Sequence, residues 1–284
     1  MNNNFKDNFL DVYHQFINLK IAEEIDFSKF YLYSIITHST AIEGSTITEV
    51  ENYNLFENGI TEGRHEIKEY FMNLDLKKAY EKCYSIAKDK PIITENLLKD
   101  LSATVMRNTG SEYFSMGGSF SSTKGEYRKL NVRAGLNGPS YINYNKVPIR
   151  MKQFCDWINQ ERITLNPNKI EDIYRFSFDV HFNLVSIHPW ADGNGRMSRL
   201  LMNYIQIENN VLPVKISKEQ KIEYIKALRN SQDSENINIF RDTMFSIHLD
   251  NLKKEIKEFK QKENNEIKLH LNKISNNKKK GKIL

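Results

Sequence analysis

The chain has 284 residues, of which 39% are hydrophobic and 27% charged, with a formal net charge of +5; this argues against disorder throughout and suffices for one large core or two modest ones. No run approaches the roughly 20 apolar residues of a membrane span, and Met1 to Asp7 lacks the basic-then-apolar layout of a signal peptide, so a soluble, cytoplasmic protein is the expectation. Cys83 and Cys155 lie far apart and outside any CxxC pair, which argues for buried thiols and against a zinc site or a disulfide framework.

Apolar residues near helical spacing (Phe9, Leu10, Tyr13, Phe16, Ile17) predict an amphipathic first helix from Phe5 to about Ala22. Asp26 or Ser28 can cap a second, which runs through Phe30, Tyr33, Ile36 and Thr37 to about Glu43 and has Gly44 as its natural terminator. Further helices are expected over about 65–87 and 94–106. Between Asn108 and Tyr144 glycines and serines cluster and helical periodicity disappears. There Leu130, Val132 and Ala134 alternate with Asn131 and Arg133, Asn137-Gly138 offers turn chemistry, and Tyr141 to Tyr144 supplies a returning strand, which reads as a small β-hairpin.

Pro148 suits the first turn of a helix that continues through Trp157, and another covers about 170–188. Helices follow over about 194–209 and from Ser217, where Ser217 and Gln220 stand at capping-box spacing. A last helix after Asn236 grows steadily more charged. Its end, Lys278-Lys279-Lys280-Gly281-Lys282, carries a good part of the net charge and reads as a solvated helix end more readily than as a nucleic-acid contact. The fold class is mainly α: a helical bundle with one hairpin, organised as N-terminal helices (1–60), a core with the hairpin (61–215), and C-terminal helices with the basic tail (216–284).

The informative stretch is His188-Pro189-Trp190-Ala191-Asp192-Gly193-Asn194-Gly195-Arg196-Met197-Ser198-Arg199. An apolar helix stops at Pro189, a tight loop carries two glycines, and a new helix opens near Asn194. Backbone N–H groups at a helix start form an anion site with the helix dipole, and glycines allow a phosphate to approach. Arg196 and Arg199, three apart, can add charge-assisted bonds. A carboxylate beside phosphates is repulsive unless a cation lies between them, so Asp192 makes sense as a ligand for Mg²⁺. His188 at the opposite lip can take a proton at neutral pH, the role needed to activate a hydroxyl for attack on phosphorus. These residues together point to phosphoryl or nucleotidyl transfer. His181, one helical face upstream, reads as a packing residue behind the loop.

The stretch resembles the Fic-family signature HPFx(D/E)GNGRxxR at every position but one, Trp190 standing where the family usually has Phe. Gly125-Glu126-Tyr127-Arg128 and the hairpin after it are similar to the family's flap, whose edge holds a target segment by strand addition. The resemblance implies a protein adenylyltransferase. His188 would deprotonate a Ser, Thr or Tyr hydroxyl of a target protein or of the chain itself, and Asp192 would hold Mg²⁺ on ATP. Gly193, Asn194 and Gly195 would form the anion hole, and Arg196 and Arg199 would bind the phosphate tail. Gly195, where a bulkier residue permits other nucleotide orientations, favours AMP transfer.

Ser39-Thr40-Ala41-Ile42-Glu43-Gly44 is similar to the family's inhibitory motif (S/T)xxxE(G/N). Ser39 and Glu43 share a helix face, and the resemblance implies that Glu43 pairs with Arg199 and restrains the enzyme. Removal of AMP, transfer of another nucleotide by the same site, and a catalytically quiet nucleotide-sensing module stay open as alternatives, as does assembly into a homo-oligomer.

Overall fold

Local chemistry fixes most helix ends in the computed structural model, which describes residues 3–135 and 138–280. Among these lie α1 (Asn3–Asn18), α2 (Phe27–Ile42), α3 (Glu49–Asn58), α4 (Ile67–Ala87), α5 (Glu95–Val105), α6 (Val147–Thr164), α7 (Ile170–Ile187), α8 (Asn194–Glu208), α9 (Lys221–Asp233) and α10 (Ile237–Lys280). The α2 helix ends as expected at Gly44, whose φ of +106° favours glycine. Thr94 caps α5 by accepting the Leu97 N–H at 3.1 Å, and the Ser217/Gln220 capping box opens a short 3-10 turn that leads into α9. The α3 helix is not signalled by apolar periodicity. It starts from a capping box in which Thr48 and Glu51 each accept the other's backbone N–H.

Two compact units are present, Lys29–Phe245 and the pair of segments Met1–Ser28 and Ser246–Leu284. The smaller unit buries Phe9, Tyr13 and Phe16 of α1 and Leu249, Leu252 and Ile256 of α10. In the larger unit α8 is central and packs against α4, α5 and α7. Met197, Leu200, Leu201, Met202 and Ile205 are buried on one side and Arg199, Asn203 and Gln206 on the other, so burial runs round the helix, as expected of one enclosed by others. Its polar residues are buried too, and three of them tie the helix to its neighbours. Asn203 accepts the Tyr80 hydroxyl at 2.6 Å and donates to the Val214 carbonyl at 3.0 Å. Gln206 donates to Ser177 Oγ at 2.8 Å, and Glu208 pairs with Arg162, whose Nε lies 3.0 Å away.

The hairpin departs from expectation. The described two-stranded ladder joins β1 (Glu112–Tyr113) to β2 (Phe120–Ser121), antiparallel, with Glu112 opposite Ser121. The segment 130–144 keeps a single bridge between Arg133 and Ser140, with Tyr141 N–H donating to the Val132 carbonyl at 3.1 Å. Asn137 lies outside the described residues. Side chains fasten the two arms instead. Arg128 donates to the Leu130 and Ile142 carbonyls at 2.9 and 2.6 Å, Asn131 Oδ1 accepts the Tyr144 N–H at 3.0 Å, and Pro139 has no N–H to give. No helix among the described residues is long and apolar enough to cross a membrane.

Candidate active site

The α7 helix stops because His188 takes a left-handed conformation (φ 53°, ψ 59°) and Pro189 follows. The loop is then stapled from within. Asn194 Oδ1 accepts the Trp190 N–H at 3.1 Å, and its amide donates back to the Trp190 carbonyl at 2.8 Å. Trp190 is fully buried, and its indole N–H donates to the Gly125 carbonyl at 3.0 Å, a bond that phenylalanine at this position cannot make. Gly193 has φ +81°. The first backbone bond of α8 runs from Met197 N–H to the Gly193 carbonyl at 2.9 Å, so the N–H groups of Asn194, Gly195 and Arg196 have no acceptor within the helix, the condition for an anion site.

Arg199 is buried and fully engaged with α2 and the residue just beyond it. Its Nε donates to Ser39 Oγ at 2.8 Å, and Nη2 donates to the Ser39 carbonyl at 3.0 Å and to Glu43 Oε1 at 2.6 Å. Burial pulls the Glu43 carboxyl upward, but the charge and hydrogen bond of Arg199 outweigh it and hold the group below the usual carboxylate range. Arg196 turns elsewhere. Its Nη1 and Nη2 face the Val105 carbonyl and Met106 Sδ at the end of α5, at 3.5 and 3.2 Å, and Nη2 lies 3.7 Å from Asp192 Oδ1. The two arginines therefore diverge although they lie three apart. Asp192 is half exposed, and its Oδ1 accepts the Gly193 N–H at 2.6 Å.

The His188 ring lies flat against Tyr141, with centroids 3.8 Å apart and planes 15° apart. Burial, reinforced by the charge of Arg128, pushes its pKa down to about 4 against the opposing pull of the Val185 carbonyl, Glu43 and Asp192. The imidazole is accordingly neutral at pH 7 and able to accept a proton. Arg128 is buried, and its Nε donates to the His188 carbonyl at 2.8 Å. Behind Arg199, Tyr224 stands beside the guanidinium, and its hydroxyl lies 2.8 Å from His181 Nε2. Glu43, Tyr141, His188, Gly195, Arg199 and Tyr224 all line one cleft of about 550 Å³, within the range of small-molecule sites. Arg196 is not among its lining residues. Tyr141 and Tyr224 carry no local sequence signal for these positions; only the fold brings them to the loop.

The Fic/DOC family profile matches residues 92–206. The chain is 29% identical over 203 residues to the protein adenylyltransferase Fic of Drosophila erecta, covering 70% of this chain and 37% of that protein. Against the protein adenylyltransferase fic-1 of Caenorhabditis elegans it is 27% identical over 202 residues, covering 70% and 36%. The chain thus spans little more than a third of the length of these relatives. Among solved structures, a Fic-domain-containing signalling protein from Bacteroides thetaiotaomicron superposes with a TM-score of 0.72 at 23% identity over 88% of this chain and 97% of the other. C. elegans Fic-1 does so with 0.71 at 19% identity over 91% and 73%. At these identities the likeness concerns the fold. The loop and the helix that follows it lie within the stretch 92–206 that matches the Fic/DOC family model, and the fold is shared with solved Fic-domain proteins.

Proposed function

We propose that the chain is a protein adenylyltransferase that moves AMP from ATP to a Ser, Thr or Tyr hydroxyl of a protein target or of itself, and that Glu43 restrains it. The observation that carries the reading is the convergence on one cleft of a neutral histidine, a helix start with unpaired N–H groups, and an arginine held by a carboxylate. In the reaction the target oxygen bonds to the α-phosphorus of ATP, the bond from that phosphorus to the bridging oxygen breaks, and pyrophosphate leaves. His188 accepts the hydroxyl proton. The backbone of Gly193 to Gly195 and the start of α8 hold phosphate oxygens, and Arg199 binds the tail once Glu43 releases it. Arg196, turned to the end of α5, holds Asp192 and the loop in shape, and meets phosphate only on rotating away.

Asp192 fits a cation that arrives with the nucleotide. Among the described residues no group of three or more potential ligands could hold a metal alone, whereas Mg²⁺ on nucleotides characteristically uses one or two carboxylates plus phosphate oxygens. Asp192, half exposed beside the helix start, would hold it there, and the ion would supply charge neutralisation at the phosphates.

The test is incubation of wild type, Glu43→Gly and His188→Ala with Mg²⁺ and ATP labelled on the α-phosphate, or separately on the γ-phosphate. Protein-bound α-label that rises in Glu43→Gly and disappears in His188→Ala supports the reading. Retention of γ-label without α-label, or equal labelling of His188→Ala, defeats it. Loss of label from pre-modified protein faster than buffer control would move the assignment to AMP removal.

A further inference from the structure

His188 is held by little of its own helix. Its backbone sits in the left-handed region, and among the described residues the one polar contact of its ring, Nδ1 to the Val185 carbonyl, is long at 3.4 Å. A base must present its acceptor nitrogen within a few tenths of an ångström, so something else has to fix the imidazole plane. The near-parallel ring of Tyr141 covers one face of the imidazole at 3.8 Å.

The flap arm that carries Tyr141 is itself referenced to His188. One guanidinium, that of Arg128, donates to the carbonyl of Ile142, the residue after Tyr141, at 2.6 Å and to the carbonyl of His188 at 2.8 Å. The Arg128 N–H also donates to the Pro189 carbonyl at 2.9 Å. Both partners of the stack are thus tied to one rigid planar fork, and Arg128, buried and bonded to carbonyls alone, leaves that fork little freedom.

Resting on the transferase reading, we propose that Tyr141 is a positioning residue for His188: its ring, fixed through Arg128, clamps the imidazole with Nδ1 toward Val185 and the opposite edge, Nε2, toward the cleft. The clamp works through packing and burial, so the phenol hydroxyl is dispensable. Around the imidazole the other charged groups are Arg128, Glu43 and Asp192, with Arg229 near Tyr141. All of them remain when Tyr141 is changed, so a shift in the titration of His188 reports loss of the ring.

The experiment compares Tyr141→Phe, Tyr141→Leu and Tyr141→Ala in the full chain. Histidine-labelled protein is titrated by NMR, the His188 signal being assigned by its absence in His188→Ala. Tyr141→Phe keeps the low titration of His188, whereas Tyr141→Ala and Tyr141→Leu raise it by about a unit or more toward the ordinary histidine value. In a Glu43→Gly background, Tyr141→Ala lowers kcat by about tenfold or more with the KM for ATP changed by about twofold at most, and Tyr141→Phe keeps the rate. An unmoved titration in Tyr141→Ala, or Tyr141→Phe behaving like Tyr141→Ala, overturns the proposal. The titration needs no turnover, so failure of the transferase reading is seen separately, as absence of α-label in Glu43→Gly.

Discussion

Replacing Glu43 by alanine tests whether Arg199 is contested between the protein and ATP. The substitution removes one charge-assisted hydrogen bond of 2.6 Å, while the two bonds from Arg199 to Ser39 remain. Such bonds contribute about 1.5–3 kcal/mol. The Glu43 side chain is 34% exposed, so the lower end, about 1.5–2 kcal/mol, is the reasonable loss. For a unit of this size, that lowers Tm by about 3–8 °C. ATP should then do more for the variant than for wild type, because it no longer displaces a carboxylate to reach the guanidinium. The same 1.5–2 kcal/mol corresponds to about 10–30-fold tighter binding. Scanning fluorimetry with and without ATP, together with calorimetric Kd values, reads both effects. A variant with an unchanged Tm and an unchanged Kd would refute the contest. A lower Tm with no gain in ATP affinity would reduce the pair to a structural contact.

Trp190→Phe restores the residue usual in the family signature but strands the Gly125 carbonyl that the indole N–H now satisfies. A stability loss of about 1–2 kcal/mol by denaturant unfolding is expected, and a neutral result would show that water or a backbone shift replaces the bond. Acid should weaken the fold already at pH values above the ordinary carboxylate range. His181 and His188 are pushed down to about 3 and about 4, His181 by burial first and His188 by burial and then Arg128, against about 6.5 in the unfolded chain. Below about pH 6.5 the unfolded state therefore binds more protons than the native one, and stability falls as pH drops through that value toward the folded pKa values. The denaturation midpoint should decline between pH 7 and 5, less steeply in His181→Phe; a flat profile in wild type counts against the burial argument.

What could be read from the sequence follows from which signals are local. The loop from His188 to Asn194 is bounded by Pro189, Gly193 and the start of α8, each a stop or start with a chemical cause inside a few residues. The α3 helix escaped because its buried face is partly polar. Asn52 is buried and donates to Thr37 Oγ1 and Asn73 Oδ1, both at 2.8 Å, so hydrophobic periodicity has nothing to register there. The hairpin pattern at 130–144 is genuine as alternation, yet Arg128 takes the Leu130 carbonyl that a longer ladder would need, and only three-dimensional reach reveals that competition. Tyr141 on His188 and Tyr224 on Arg199 join residues dozens of positions apart, and no spacing rule anticipates such pairs.

Under the proposed function, Gly195 explains why Glu43 at Arg199 and a bound phosphate exclude each other. A side chain there would place its Cβ 2.4 Å from Glu43 Oε1 and 3.1 Å from Arg199 Nη1, so the missing side chain is what lets the carboxylate reach the helix start. Under the proposed function a phosphate needs that same opening, and two anions cannot share it. Release does not require α2 to move. Thr40 Oγ1 donates to Asn73 Oδ1 at 2.7 Å, and Asn52 bridges Thr37 and Asn73, a buried network that pins the helix to α3 and α4. Glu43 lies just past the last residue of α2, beside Gly44 at φ +106°. Rotation of this one side chain away from Arg199 is therefore the smallest movement that empties the anion site, and it leaves the rest of α2 in place.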